Sequence, residues 1–136
     1  MNLAREMEVR FMFNIGKTQT QCTRLFYHHG WGGGGPVTRV MIDTNRMAVY
    51  QDAEIVWTGH THDQWIVPIR RQRLSNAGIP YLDEQLHVRT PGYKDEFSLM
   101  EGFHVERGRG PKPIGAAWLH FWYDNKAVRF DVTRAL

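Results

Sequence analysis

The sequence has little of what several protein classes require. Its single cysteine, Cys22, excludes a disulfide framework and an all-cysteine zinc site. Its two serines, Ser75 and Ser98, both lie outside the Gly-x-Ser-x-Gly context of a serine hydrolase. No apolar run approaches the roughly 20 residues that span a bilayer, so we expect no membrane partner. The first residues also lack the apolar core of a secretory signal, and we expect a cytoplasmic protein.

The 136 residues that are present have the composition of an ordinary globular protein. Hydrophobic residues make up 42% and charged residues 23%, which argues against disorder and fibrous repeats. The length predicts one domain, residues 1–136, with an α/β part at 1–63 and a β-rich part at 64–136. The net charge of +3 favours anionic partners only mildly.

Hydrophobic periodicity predicts a strand–helix–strand unit in the first half of the chain. Residues 7–15 alternate with a period of two, and Cys22–Tyr27 form a second β-rich run. Thr38 is a suitable N-cap for a helix that runs to about Tyr50. The apolar run Ile55–Trp57 then reads as a buried strand.

Two histidine-bearing loops follow the strands of this unit. His28-His29-Gly30 follows the second strand, and Gly59-His60-Thr61-His62 follows the third. If the two strands are parallel and adjacent, both loops emerge at the same carboxyl edge of the sheet. Ligand sites in open α/β sheets form at that edge.

The second half of the chain is predicted to be mostly β-structure. Strands are predicted at 65–69, 85–89, 116–123 and 127–132, and the last two form a hairpin around Asp124-Asn125-Lys126. The aromatic residues of 118–123 are attributed to sheet packing. The fold class is therefore α/β, with a βαβ-like unit followed by antiparallel strands.

The histidine spacing is typical of a metal site. In an extended segment His60 and His62 point to the same side, so one loop can offer two imidazole ligands. His28 takes the equivalent place after the neighbouring strand, and His29 is a further candidate. His87, His104 and His120 lie within β-rich or turn-rich sequence and are interpreted as structural.

These motifs resemble a known family. His28-His29-Gly30, the glycine loop that ends in Pro36-Val37-Thr38, and Gly59-His60-Thr61-His62 resemble the C-terminal half of calcineurin-like metallophosphoesterases, especially the small phage-type members. The resemblance covers most of residues 7–70. It implies half of a β-sandwich flanked by helices, and up to two divalent metal ions (Mn, Fe, Zn or Ni). By that resemblance His28 and His60 would ligate the second metal and His62 the first. The implied activity is phosphomonoester or phosphodiester hydrolysis by metal-activated water.

The chain departs from the family in its missing N-terminal motifs. DxH, GDxxD and GNH(D/E), which would supply the bridging aspartate and the remaining ligands, are absent from the sequence. Three interpretations stay open. In the first, an N-terminal-half polypeptide or a second copy of the chain completes the site. In the second, the chain is a non-catalytic remnant that binds metal or nucleic acid. In the third, the three histidines form a mononuclear site. In the last case Asp63 or Asp43 would act as an outer carboxylate.

Two further groups are candidates for contact with a phosphate-ester substrate. Gly30, Gly32 and Gly33 allow close approach of the backbone to a phosphate, although the run lacks the Gly-Lys-Ser/Thr end of a P-loop. Arg70, Arg71 and Arg73 form a basic cluster near Trp65 that would suit a nucleic-acid backbone.

Overall fold

A computed structural model describes residues 6–31, 37–38, 41–98 and 100–135. Strands and helices follow the order β1 (Glu6–Ile15), β2 (Gln19–His28), α1 (Met41–Tyr50), β3 (Ile55–Thr58), β4 (Trp65–Leu74), β5 (Pro80–Arg89), α2 (Phe103–Glu106), β6 (Ala116–Asp124) and β7 (Ala127–Ala135). The fold is mixed α/β and dominated by strands in two sheets. No helix in these ranges is long and apolar enough to cross a membrane.

The larger sheet has five strands in the order β1-β2-β3-β5-β4. β3 pairs in parallel with both β2 and β5, while the outer strands β1 and β4 pair antiparallel. The strands that flank α1 are thus parallel and adjacent, which is the condition for the two histidine loops to emerge at one edge. Because the three inner strands run in the same direction, their carboxyl ends meet at one edge of the sheet.

Two layers cover the faces of this sheet. The β6–β7 hairpin packs on one face, where Val132 joins the apolar side chains of the inner strands. On the other face Met47 of α1 packs against Phe26 and Val56. β3 is buried on both faces because it lies between them, which explains why its sequence is a continuous apolar run. The predicted hairpin around Asp124-Asn125-Lys126 is confirmed.

β4 is longer than the predicted 65–69 and continues to Leu74 through the arginine cluster. The polar continuation is stable because its alternate residues find cross-strand partners. Arg71 lies opposite Asp83 and forms two hydrogen bonds with that carboxylate, at 3.0 and 2.8 Å. Charged residues can therefore extend a strand when the neighbouring strand supplies the opposite charge.

Sheet packing explains only part of the aromatic run in β6. Phe121 faces inward, with its ring centroid 4.9 Å from those of both Phe11 and Phe13. Trp118 and Trp122 are 62% and 47% exposed, so the prediction of packing is wrong for them. The strand period of two places them on the outer face of a two-stranded sheet.

Candidate functional site

The two histidine loops lie side by side at the carboxyl edge of the parallel strands. Hydrogen bonds continue the pairing beyond the strands: the Gly59 amide donates to the His29 carbonyl at 3.2 Å, and the Thr90 amide donates to the Thr58 carbonyl at 3.0 Å. The predicted convergence of the two loops is therefore present in the structure.

Gly30 makes this close approach of the loops feasible. Its φ of +95° is rarely adopted by residues with a side chain, and a Cβ there would lie 2.8 Å from the Gly59 carbonyl oxygen. Close packing between the loops therefore accounts for a glycine at this position, which the sequence suggested as a substrate contact. The other two predicted glycines, Gly32 and Gly33, lie outside the described residues.

His29 and His60 are the histidines that touch. Their Nε2 and Nδ1 atoms are 3.0 Å apart, and the ring planes are inclined at 73°. Both side chains are exposed. His60 also has a positive φ of 74°, an uncommon conformation for a residue other than glycine.

His28 is the most buried histidine of the two loops. It is only 8% exposed, its Nδ1 accepts a hydrogen bond of 2.7 Å from the Gly30 amide, and the edge of its ring meets Trp31. β2 ends one residue later than the predicted strand, at His28, so this ring lies on the same buried face as Phe26. The structure therefore brings His29, the secondary candidate, into contact with His60.

His62 faces the long segment between β5 and β6. Its φ is 58°, and a Cβ at Gly92 would lie 2.5 Å from its Nδ1 atom. The imidazole lines a cavity of about 220 Å³ whose walls include Lys94, Lys112 and Ile114. The three predicted ligands therefore have three different surroundings. Within the described ranges no three His, Cys, Asp or Glu side chains lie close enough together to hold a metal ion.

Arg89, at the carboxyl end of β5, is a candidate that was not predicted from the sequence. This side chain is 3% exposed, and its Nη1 donates a 2.8 Å hydrogen bond to Thr61 Oγ1. Its guanidinium carbon is 5.3 Å from the centre of the Trp65 ring. The sequence contained one indication of this position, since polar residues alternate along the predicted strand at Gln85, His87 and Arg89. Only the order of the strands, however, reveals that this face of β5 is buried.

The two candidate outer carboxylates both lie near Arg89. Asp63 is buried, and its Oδ1 accepts a 2.7 Å hydrogen bond from Lys112. Asp43 of α1 and Arg89 line a small cavity of about 10 Å³ together with Gly30. Burial lowers the pKa of Arg89, and the charges of Asp63 and Asp43 partly offset that shift.

The proposed nucleic-acid cluster is divided by the strand period. Arg71 is bound to Asp83, and Arg73 lies 2.9 Å from Asp52 and 3.5 Å from Asp83. Arg70 points to the opposite face of β4 and is exposed. Two of the three arginines are thus held in ion pairs across the sheet.

Comparison of the chain with models of known protein families, with curated proteins and with solved structures finds no significant match. A functional assignment therefore depends on the geometry of the two histidine loops.

Proposed function

We propose that this chain supplies the histidine-bearing half of a divalent-metal-dependent phosphoesterase. The observation that carries the proposal is the contact between His29 and His60, which joins two loops that follow adjacent parallel strands. Exposed imidazoles at the carboxyl edge of parallel strands are suited to bind a ligand or a metal ion.

Two of the four proposed histidine ligands lie close enough together to share a divalent metal ion. Zinc–nitrogen bonds are about 2.1 Å long and tetrahedral, so two imidazole nitrogens on one zinc ion lie roughly 3.3 Å apart. His29 Nε2 and His60 Nδ1 lie 3.0 Å apart, at hydrogen-bond distance, so a shift of a few tenths of an ångström would place both on one ion. His28 and His62, in the same two loops, are the further proposed ligands. Mn, Fe, Zn and Ni all accept neutral imidazole. When bound, the metal would activate water and neutralise phosphate oxygens.

The site is proposed to be a half-site because its ligands are incomplete within the described residues. The remaining ligands, including a bridging carboxylate, would come from an N-terminal-half polypeptide or from a second copy of the chain. The five-stranded sheet and the smaller sheet packed on it would then form the C-terminal half of a metallophosphoesterase-like β-sandwich. β1 and β4, each 10 residues long, are the edge strands of the larger sheet and offer unpaired backbone groups to a partner.

Metal binding is the direct test of this proposal. We expect the purified chain to bind Mn²⁺, measured by electron paramagnetic resonance titration, and His60→Ala to weaken that binding by tenfold or more. His120→Ala is the matched control, because His120 lies on β6, outside the two loops, and contacts Thr133 at 2.8 Å. Equal Mn²⁺ affinity of the chain and His60→Ala, or no binding by either, would contradict the proposal.

Hydrolysis separates a working site from a half-site. Bis-p-nitrophenyl phosphate should be tested with Mn²⁺, using the chain, His60→Ala and His120→Ala. Activity that is lost only in His60→Ala would indicate that the chain completes its own site, and the native mass would then show whether it does so as an oligomer. Mn²⁺ binding without hydrolysis would favour the alternative, a metal- or nucleic-acid-binding subunit that needs a partner for catalysis.

A further inference from the structure

Arg89 occupies an unusual position for a charged side chain. It is almost fully buried, yet its Nε has no hydrogen-bond partner among the described residues. An unpaired buried donor is costly, and such a group needs a compensating role. The side chain extends from the carboxyl end of β5 toward the loop that follows β3.

Thr61, the residue that Arg89 binds, lies between two strained histidines. His60 and His62 have φ values of 74° and 58°, and each such conformation costs of order 1 kcal/mol or more in a residue other than glycine. Strained conformations persist only where neighbouring contacts hold them. The 2.8 Å bond from Arg89 Nη1 to Thr61 Oγ1 supplies a side-chain contact at the centre of the strained segment.

Two further groups interact with Arg89, one by contact and one through its charge. Its guanidinium lies over the Trp65 ring at 5.3 Å, and the negative charge of Asp63 favours its charged form. Asp63 directly follows His62 and is in turn held by Lys112 at 2.7 Å. The loop is therefore attached to the β5 end by Thr61 and, through Asp63, to the segment that contains Lys112.

We infer that Arg89 is a positioning residue that fixes the orientation of His60 and His62 through Thr61. The inference rests on the proposed function, because a fixed orientation matters if these imidazoles are ligands. Arg89 is buried and acts on the proposed ligands through Thr61, whose hydroxyl it binds. Residues that orient metal ligands in this way typically change metal affinity by about 10–100-fold when they are replaced.

The test compares Thr61→Val, which removes the hydroxyl at nearly constant volume, with Thr61→Ser, which keeps it. We expect Thr61→Val to weaken Mn²⁺ binding by about tenfold or more and Thr61→Ser to restore nearly normal affinity. A second readout is the imidazole ¹⁵N shifts of His60 and His62 without metal, which should move in Thr61→Val and stay in Thr61→Ser. Thr133→Val is the matched control, because that hydroxyl binds His120 on the hairpin.

A double-mutant cycle that combines Arg89→Met with Thr61→Val tests whether Arg89 acts through Thr61. If Arg89 acts through Thr61, the double variant should bind Mn²⁺ no more weakly than Arg89→Met alone. Strictly additive losses would overturn the inference, as would unchanged imidazole shifts in Thr61→Val. If the unaltered chain binds no Mn²⁺, the proposed function fails, and the imidazole shifts still decide whether Arg89 and Thr61 position the two rings.

Discussion

The two ends of the parallel strands use arginine in opposite ways. At the end where β3 begins, a connected network of ion pairs joins β2 to β4 and β5. Its members are Arg24, Asp52, Glu54, Arg73 and Asp83. At the carboxyl end, Arg89 is buried and donates a hydrogen bond to the neutral hydroxyl of Thr61. One end has charges paired with charges, and the other has a buried charge that supports a strained loop.

The pKa directions follow this difference. Hydrogen bonding to Glu54 is the main cause that raises the pKa of Arg24, and Asp52 raises the pKa of Arg73. Burial instead lowers the pKa of Arg89. A solvent-accessible ion-pair network connects strands and adds modest stability, whereas an incompletely paired buried arginine is tolerated where the structure must hold a particular loop geometry.

The largest effect is expected where the two histidine loops touch. Gly30→Ala should lower the free energy of unfolding by about 2–5 kcal/mol, since a left-handed alanine costs about 1–2 kcal/mol and the contact with the Gly59 carbonyl adds overpacking strain. Gly78→Ala is the control: Gly78 also has a positive φ, but no atom lies within 4 Å of a Cβ there. That variant should lose only about 1 kcal/mol in urea unfolding. Equal losses would mean that the loop contact does not contribute.

Acid should destabilise the fold through His87, which lies in β5 between the two ends. His87 is 2% exposed, and burial, with a smaller effect from Arg71, lowers its pKa from 6.5 to about 4. Between pH 4 and pH 6.5, His87 binds a proton more readily in the unfolded chain than in the folded chain. His87 therefore stabilises the fold above pH 6.5, and that contribution is lost as the pH falls toward 4. The loss between pH 7 and pH 4.5 should be about 2–3 kcal/mol. Urea unfolding of the chain and His87→Gln at pH 7 and pH 4.5 measures it, and an identical pH dependence in both would contradict the assignment.

The sequence predicted the site more successfully in outline than in detail. Periodicity was sufficient to place the histidine loops after two strands, and the local connection through α1 favoured parallel pairing. Periodicity could not reveal that β5 would lie beside β3, because that pairing joins distant segments. The burial of Arg89 depends on that pairing and was not predicted. β2 continues one residue beyond its predicted end, so His28 is buried as part of the strand. His29 is the residue that contacts His60.

A smaller effect is expected within the arginine cluster of β4. Arg71→Gln removes a half-buried pair of charge-assisted hydrogen bonds to Asp83 and should cost about 1–3 kcal/mol of stability. Arg70→Gln, one residue away on the exposed face, should change stability by less than about 0.5 kcal/mol. Urea unfolding checks both variants. Mn²⁺ affinity should be unchanged in each, and a tenfold loss in Arg71→Gln would show that the two ends are coupled.

The smallest effect is expected at the exposed centre of the ion-pair network. Asp52 is bound to Arg24 at 2.8 Å and to Arg73 at 2.9 Å, but its side chain is 61% exposed. Hydrogen bonds from these arginines lower the pKa of Asp52, although water and salt screen such pairs strongly. Asp52→Asn should therefore cost at most about 1 kcal/mol in low salt, and the difference should nearly vanish in 1 M NaCl. A loss of stability that persists in 1 M NaCl would indicate that the ion-pair network also depends on charges shielded from water. The network and the buried Arg89 would then differ only in how strongly their charges are shielded.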